Sequence, residues 1–512
     1  MDEKNILKQI LETPDGATTP LSKLGCSPES IEKVIDSLIK KYNFITVETR
    51  KTTQCIEHSK SAVFVEIKGN QSYYHCPSGH RINILKNEST YVRVDNDALL
   101  QYFLTNNKLT ELTGHPEKTR LSANITGCKI IRTNDLPVLL FLKRTSLNVS
   151  DVQIMHSLSI SEFGKIAGIV CLTNKSAKTV ELENFLQVNT FGTTKLFDIN
   201  DLICNYDEFH QYLKKIPYLH QTFQTAIQIT NDLGFEVPNA DRYKNYVMDP
   251  KLVLAEINNA GEDGDQSNRY EEIAGFIFSN ITKTTVMGQQ KIGCPLPDTI
   301  SYFDVPTSSD AYHCNILALD AKSGFDKNFQ RRIESTDASK MFDYIQTIDE
   351  ALNKHKRNWT VYGSFLLPEI STTHLINRVK AIGEARKRNG IKNNILVFTN
   401  KGLSAIYSLC ISRAQLHKDD QDLKHLKEQL FTPLSTDDFE MLSKLDHELK
   451  NKEWDNFKDA YLTAKDNGVL IISPEIIIRY TKTLKHKSDD CARATLEKSI
   501  IEIAKEKAPR SK

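Results

Sequence analysis

At 512 residues the chain is too long for one ordinary domain and long enough for several hydrophobic cores, so three or four units are expected. Hydrophobic residues at 39% and charged residues at 26% exclude wholesale disorder, and no run approaches the roughly 18 apolar residues that span a bilayer. A formal net charge of +1 excludes a globally basic nucleic-acid binder, so a nucleic-acid partner would have to be held by local patches.

The N-terminus, MDEKNILKQI, has neither the basic start nor the apolar core of a signal peptide. A cytoplasmic, reducing setting is therefore expected, in which the ten cysteines are free or metal-bound. Residues 1–50 read as helix, turn, helix and strand. The clearest helix starts at Ser27 as N-cap with Pro28 in the first turn, and sets Ile31, Val34, Ile35, Leu38 and Ile39 on one face. Lys33, Lys40 and Lys41 lie off that face, where they would meet DNA if the segment is a winged helix-turn-helix. A plain helical hairpin would show almost the same pattern.

Residues 51–115 hold short β-like runs around CIEH and CPSGH. Cys55 and His58, then Cys76 and His80, form two closely spaced pairs that could close a tetrahedral Cys₂His₂ zinc site, with His75 near enough to substitute. Such a site would be structural and would brace a module too small to build its own core. The alternative is a chance grouping. Residues 116–245 suggest a small α/β unit, with apolar runs at LPVLLFLK and IAGIVCLTN and a helical connection. A new domain is placed from about 246 to 420, and charged amphipathic helices fill 421–512.

The chemistry-bearing stretch is CPLPDTISYF, followed by CNILALDAKSGF. CNILALDAK reads as a buried strand whose polar residues come at its end. Asp320 and Lys322 are two apart and so project to one side. Asp298 opens the β-like run TISYF, and a hairpin between the runs would bring it to Asp320. Two carboxylates suit Mg²⁺, which can supply much of what phosphodiester hydrolysis needs. Lys322 would orient the attacking water or offset the developing phosphate charge.

Pro297-Asp298, a spacer and Asp320-Ala321-Lys322 resemble the signature of the PD-(D/E)xK nuclease superfamily, most closely the cleavage domain of type IIS, FokI-like restriction endonucleases. The resemblance covers about residues 265–412 and includes the order hairpin, helix, strand, helix, strand. It implies a restriction-endonuclease-like core with a mixed central sheet. It also implies catalytic Asp298, Asp320 and Lys322, with Mg²⁺ held by Asp298, Asp320 and Ala321. Many such nucleases add a glutamate on the preceding helix. In NRYEEIAGFIFSN the apolar face favours Glu272 over Glu271. Thr299 departs from the pattern, in which a glycine often follows the aspartate.

From 320 to 400 there are 14 Lys and Arg against 9 Asp and Glu, and Arg331-Arg332 are the cations nearest the motif in sequence. No Walker-type loop, dinucleotide fingerprint or HExxH is present. The expected protein is a multidomain α/β, Mg²⁺-dependent restriction-type endonuclease of a prokaryotic cytoplasm, whose Cys/His pairs either hold structural zinc or are a chance grouping. Its N-terminal modules bind double-stranded DNA, and a homodimer would form on the DNA. The alternatives are another nuclease of the superfamily, in repair, transposition or RNA processing, or a DNA-binding protein with an inactive nuclease-like domain.

Overall fold

The computed structural model of the chain describes residues 3–14, 17–25, 28–105, 128–133, 135–151, 154–155, 166–174, 179, 182–183, 193–235, 249–262, 267–282, 284–287, 296–305, 313–322, 335–368, 372–412, 423–449, 452–483 and 490–505. These form a multidomain α/β protein in two compact units. One comprises Met1–Asn148, Leu158–Lys175 and Thr194–Pro217; the other comprises Val149–Ser157, Ser176–Thr193 and Tyr218–Lys512. Among the described residues no helix is long and apolar enough to cross a membrane.

In the first unit, α1 (Glu3–Leu11) buries Ile6, Leu7, Ile10 and Leu11, the spacing of one helical face. Helix α2 (Pro28–Lys41) begins with a proline whose fixed φ suits a first turn. It turns Leu38 into the core, whereas Ile39, expected on the same face, is 39% exposed. Strands β1 (Thr19–Pro20) and β2 (Ile45–Thr49) follow the two helical segments. Next come β3 (Thr52–Cys55), β4 (Lys60–Lys68), β5 (Gln71–His75) and β6 (Arg81–Leu85), an antiparallel meander, and then β7 (Thr90–Val94). Strand β7 lies between β1 and β2 and pairs antiparallel with both. The module expected over 1–50 thus takes its central strand from beyond that boundary, and β3–β6 are inserted between two neighbouring strands. After β7, α3 (Asn96–Leu104) is capped by Asp95, whose side chain accepts from the amides of Asp97 and Ala98.

The segment expected as a small α/β unit forms a second sheet in the order β11-β10-β9-β8, from β8 (Cys128–Thr133), β9 (Leu136–Lys143), β10 (Gly168–Thr173) and β11 (Thr193–Asp198). Strands β9 and β10 run parallel. The expected helical connection comprises α4 (Ile199–Cys204) and α5 (Asp207–Asp232).

In the second unit, α6 (Pro250–Glu262) and α7 (Ser267–Ser279) lead into a six-stranded mixed sheet in the order β12 to β17. Its strands are β12 (Thr284–Met287), β13 (Thr299–Val305), β14 (His313–Ala321), β15 (Thr360–Leu367), β16 (Ile395–Thr399) and β17 (Val469–Ile472). The first three are antiparallel, and β14 to β17 are parallel. Crossovers through α8 (Ser335–Lys354) and α9 (Thr372–Arg388) join β14, β15 and β16. Strand β16 is buried at every position, as expected of a parallel strand covered on both faces. Gly363 of β15 lets α8 close on the sheet, because a Cβ there would sit 2.8 Å from Met341 Cγ.

The sheet does not end at residue 420. After α10 (Asn400–Ser412), α11 (Lys424–Leu430), α12 (Thr436–Leu449) and α13 (Lys452–Asp466), the chain returns as β17 beside β16. Helices α14 (Pro474–Thr483) and α15 (Asp490–Lys505) then pack against α10. The region expected to be helical over 421–512 thus also contributes β17 to the same sheet. Its VLII run, lying among charged helices, is too short to carry a strand periodicity.

Candidate metal centres

Strands β13 and β14 pair Thr299 with Leu319, so one step further Asp298 falls opposite Asp320. Beyond that last pair, the Ala321 amide on β14 has lost its strand partner. Asp298 Oδ2 takes that place, accepting the Ala321 N–H at 2.7 Å. Lys322 N donates to Leu366 O across the parallel side, which fixes the backbone after the strand. Lys322 Nζ lies 2.8 Å from Asp320 Oδ2, with its side chain 34% exposed and that of Asp320 6% exposed.

Asp298 and Asp320 are both buried. Burial first, and then the charges of Asp320 and Glu271, hold the Asp298 carboxyl well above the usual carboxylate range. The Ala321 N–H and the Lys322 ammonium act in the opposite direction. The site is thus a cluster of hard oxygen donors whose mutual repulsion Lys322 partly offsets, a donor set that fits a divalent cation.

The helix carboxylate whose charge reaches Asp298 is Glu271, where the apolar-face argument had favoured Glu272. Helix α7 buries Tyr270, Ile273, Ala274, Phe276, Ile277 and Phe278, so it is enclosed on most sides and its periodicity selects no single face. Both glutamates are half-buried. Thr299, the departure from the expected pattern, is a regular strand residue paired with Met287 and Leu319; no tight turn occurs there. Arg331 and Arg332 lie outside the described residues.

The first unit holds a second cluster, made by the knuckles at the β3–β4 and β5–β6 turns. Cys55 closes β3, and the 56–59 turn carries His58; Cys76 follows β5, and His80 precedes β6. Two features shape the second knuckle: Cys76 N donates to His80 O at 2.8 Å, and Gly79 adopts φ +86°, a conformation that suits glycine. Cys55 Sγ lies 3.4 Å from both His58 Nδ1 and His80 Nδ1, and Cys76 Sγ is 3.9 Å from His58 Nδ1. Tetrahedral bonds of about 2.3 Å to sulfur and about 2.0 Å to nitrogen place such ligand atoms about 3.5 Å apart. The ligand atoms of Cys55, His58 and His80 lie within 4.8 Å of one another, so this cluster could hold a metal ion. His75 is exposed, on the face of β5 opposite Tyr74.

The cysteines also belong to the packing. Cys55, Cys76, Ala62 and Tyr74 form the fully buried core beneath the knuckles, with only Phe64, Ile82 and Ile84 half-buried against it. An ion held by the cluster would add substantially to the stability of a core of that size.

Lys33, Lys40 and Lys41 are exposed on α2. The Lys41 ammonium lies 5.2 Å from the Tyr42 ring centroid. Its hydrogen bond to Tyr42, and then the charges of Tyr42 and Glu3, raise its pKa. Comparison of the chain with protein-family models, with curated proteins and with solved structures finds no match.

Proposed function

We propose that the chain is a Mg²⁺-dependent nuclease of the restriction type that hydrolyses phosphodiester bonds in duplex DNA, with Asp298, Asp320 and Lys322 at its centre. The observation that carries this is the pairing of two buried carboxylates across one hairpin, with Lys322 on Asp320 and a third carboxylate, Glu271, close enough to act on Asp298. The order hairpin, helix, strand, helix, strand around them supports the same reading.

Asp298, Asp320 and the main-chain oxygen of Ala321 would hold the cation, with Glu271 contributing charge from α7. When bound, Mg²⁺ neutralises phosphate charge and acidifies a coordinated water. Lys322, half-buried where Asp298 and Asp320 are buried, would meet the phosphate and counter the charge that develops on it. Asp320 positions that ammonium through their 2.8 Å contact. Asp298, tied to the Ala321 amide, keeps its carboxylate fixed where β13 begins, beside the end of β14.

The Cys55, His58 and His80 cluster, with Cys76 Sγ 3.9 Å from His58 Nδ1 as the candidate fourth donor, has an N/S donor set best served by structural zinc. The module around β1, β7 and β2 is read as a winged helix-turn-helix, and the strand order with β7 central supports this. Incubation with duplex DNA and Mg²⁺ is the decisive experiment. The wild-type chain is expected to cleave, EDTA to stop it, and Lys322→Ala to lower the rate at least about a hundredfold. Glu271→Ala is expected to lower the rate more than Glu272→Ala. Cleavage that persists in both EDTA and Lys322→Ala would overturn the mechanism, and cleavage of RNA alone would favour RNA processing.

A further inference from the structure

In a winged helix the wing is the hairpin joining the last two strands of the small sheet. Here the chain leaves β2 at Arg50 and returns to β7 at Ser89, and between them stands the whole β3–β6 ribbon. The ribbon is seated firmly on this base. Arg50 N donates to Ser89 O at 2.8 Å, Tyr74 Oη donates to Arg50 O at 2.9 Å, and the buried hydroxyls of Ser72 and Ser89 meet at 2.6 Å.

The ribbon also concentrates positive charge. Residues 50–86 carry six cations, Arg50, Lys51, Lys60, Lys68, Arg81 and Lys86, against two carboxylates, Glu57 and Glu66. That is a balance of +4 in a chain whose total is +1. All six cations are exposed or half-buried, and a zinc ion held by two thiolates would add no net charge. On the outer face Arg81 stacks 4.0 Å from the Tyr73 ring centroid and pairs with Glu66, which also meets Lys68. Lys60 reaches across the knuckles to Ser78 Oγ at 3.2 Å.

We propose that the ribbon is a metal-braced basic arm that replaces the wing and grips the phosphate backbone of duplex DNA beside α2. This rests on the winged-helix reading of the module but not on cleavage by the second unit. Backbone contacts of this kind position a protein on DNA without reading its sequence. The exposed Val63 and Val65 of the same ribbon suit a second copy of the chain instead, and that is the rival outcome.

The test uses the full-length chain with Lys322→Ala, so that bound DNA stays intact, and labelled duplexes of two unrelated sequences. Affinity is read by fluorescence anisotropy over a range of salt. Adding Lys60→Ala, Lys68→Ala and Arg81→Ala is expected to weaken binding to both duplexes alike by about tenfold or more, and to lower the salt slope by roughly 3. Stripping zinc is expected to give a similar loss, recovered on adding Zn²⁺. Unchanged affinity and slope in the triple variant would overturn the arm, as would a change of oligomeric mass in Val63→Ser without any effect of the charge variants. Binding that depends on the arm in a chain that never cuts DNA would leave the arm standing and remove the nuclease. Cleavage with arm-independent affinity would do the reverse.

Discussion

Asp298 is pulled two ways, because the burial that shapes a metal site penalises the same carboxylate when no metal is there. Its pKa in the fold lies above that of the unfolded chain. Its contribution to stability is therefore full below the unfolded value and is lost as pH rises through the raised one. In metal-free buffer at neutral pH, Asp298→Asn is expected to melt higher than the wild type, because the amide oxygen can still accept from Ala321 without bringing a charge. The difference should vanish toward acid pH, and Mg²⁺ should raise the melting temperature of the wild type alone. Differential scanning calorimetry reads this directly, at about 2–4 °C per kcal/mol for a sizeable domain. A variant that melts lower at every pH would show that the carboxylate is not strained. Asp298, Asp320 and Lys322 were legible in the sequence because strand alternation and a hairpin suffice to bring them together. Glu271 was not, because a helix buried nearly all round offers no periodic hint of which side faces the site.

At the scale of elements, the order hairpin, helix, strand, helix, strand stated for the sequence recurs in β13, β14, α8, β15, α9 and β16. What stayed hidden was pairing between distant segments, namely β7 with β1 and β2, and β17 with β16. Gly402 illustrates the second case. It lies in the first turn of α10, its amide donates to Thr399 Oγ1 at 3.0 Å, and a Cβ there would press on the Ile472 carbonyl of β17. Alanine gains about 1 kcal/mol of helix propensity, but overpacking against backbone that cannot move aside costs about 1–3 kcal/mol. Gly402→Ala is thus expected to destabilise the second unit in chemical denaturation. A gain in stability would show that β17 does not seat tightly on α10.

For the whole molecule, β17, α14 and α15 decide where a cut can be made. Removing the chain after residue 420 would bare the outer edge of β16, whose Ile395, Leu396, Val397 and Phe398 are all buried, together with the packed face of α10. A chain ended at residue 420 is expected to aggregate or lose cooperative unfolding, although every proposed metal ligand lies before the cut. Soluble expression of that truncation with a sharp thermal transition would refute the integration of the last quarter into the core.

The opposite holds at the base of the ribbon. With Arg50 and Ser89 joined by a backbone hydrogen bond, the ribbon's entry and exit lie side by side, as the two ends of a short hairpin loop do. Whatever is threaded between those two residues leaves the three-stranded sheet closed beneath it. The position is therefore a natural graft point, where modules of different length and chemistry can be exchanged without disturbing the helices that the sheet supports.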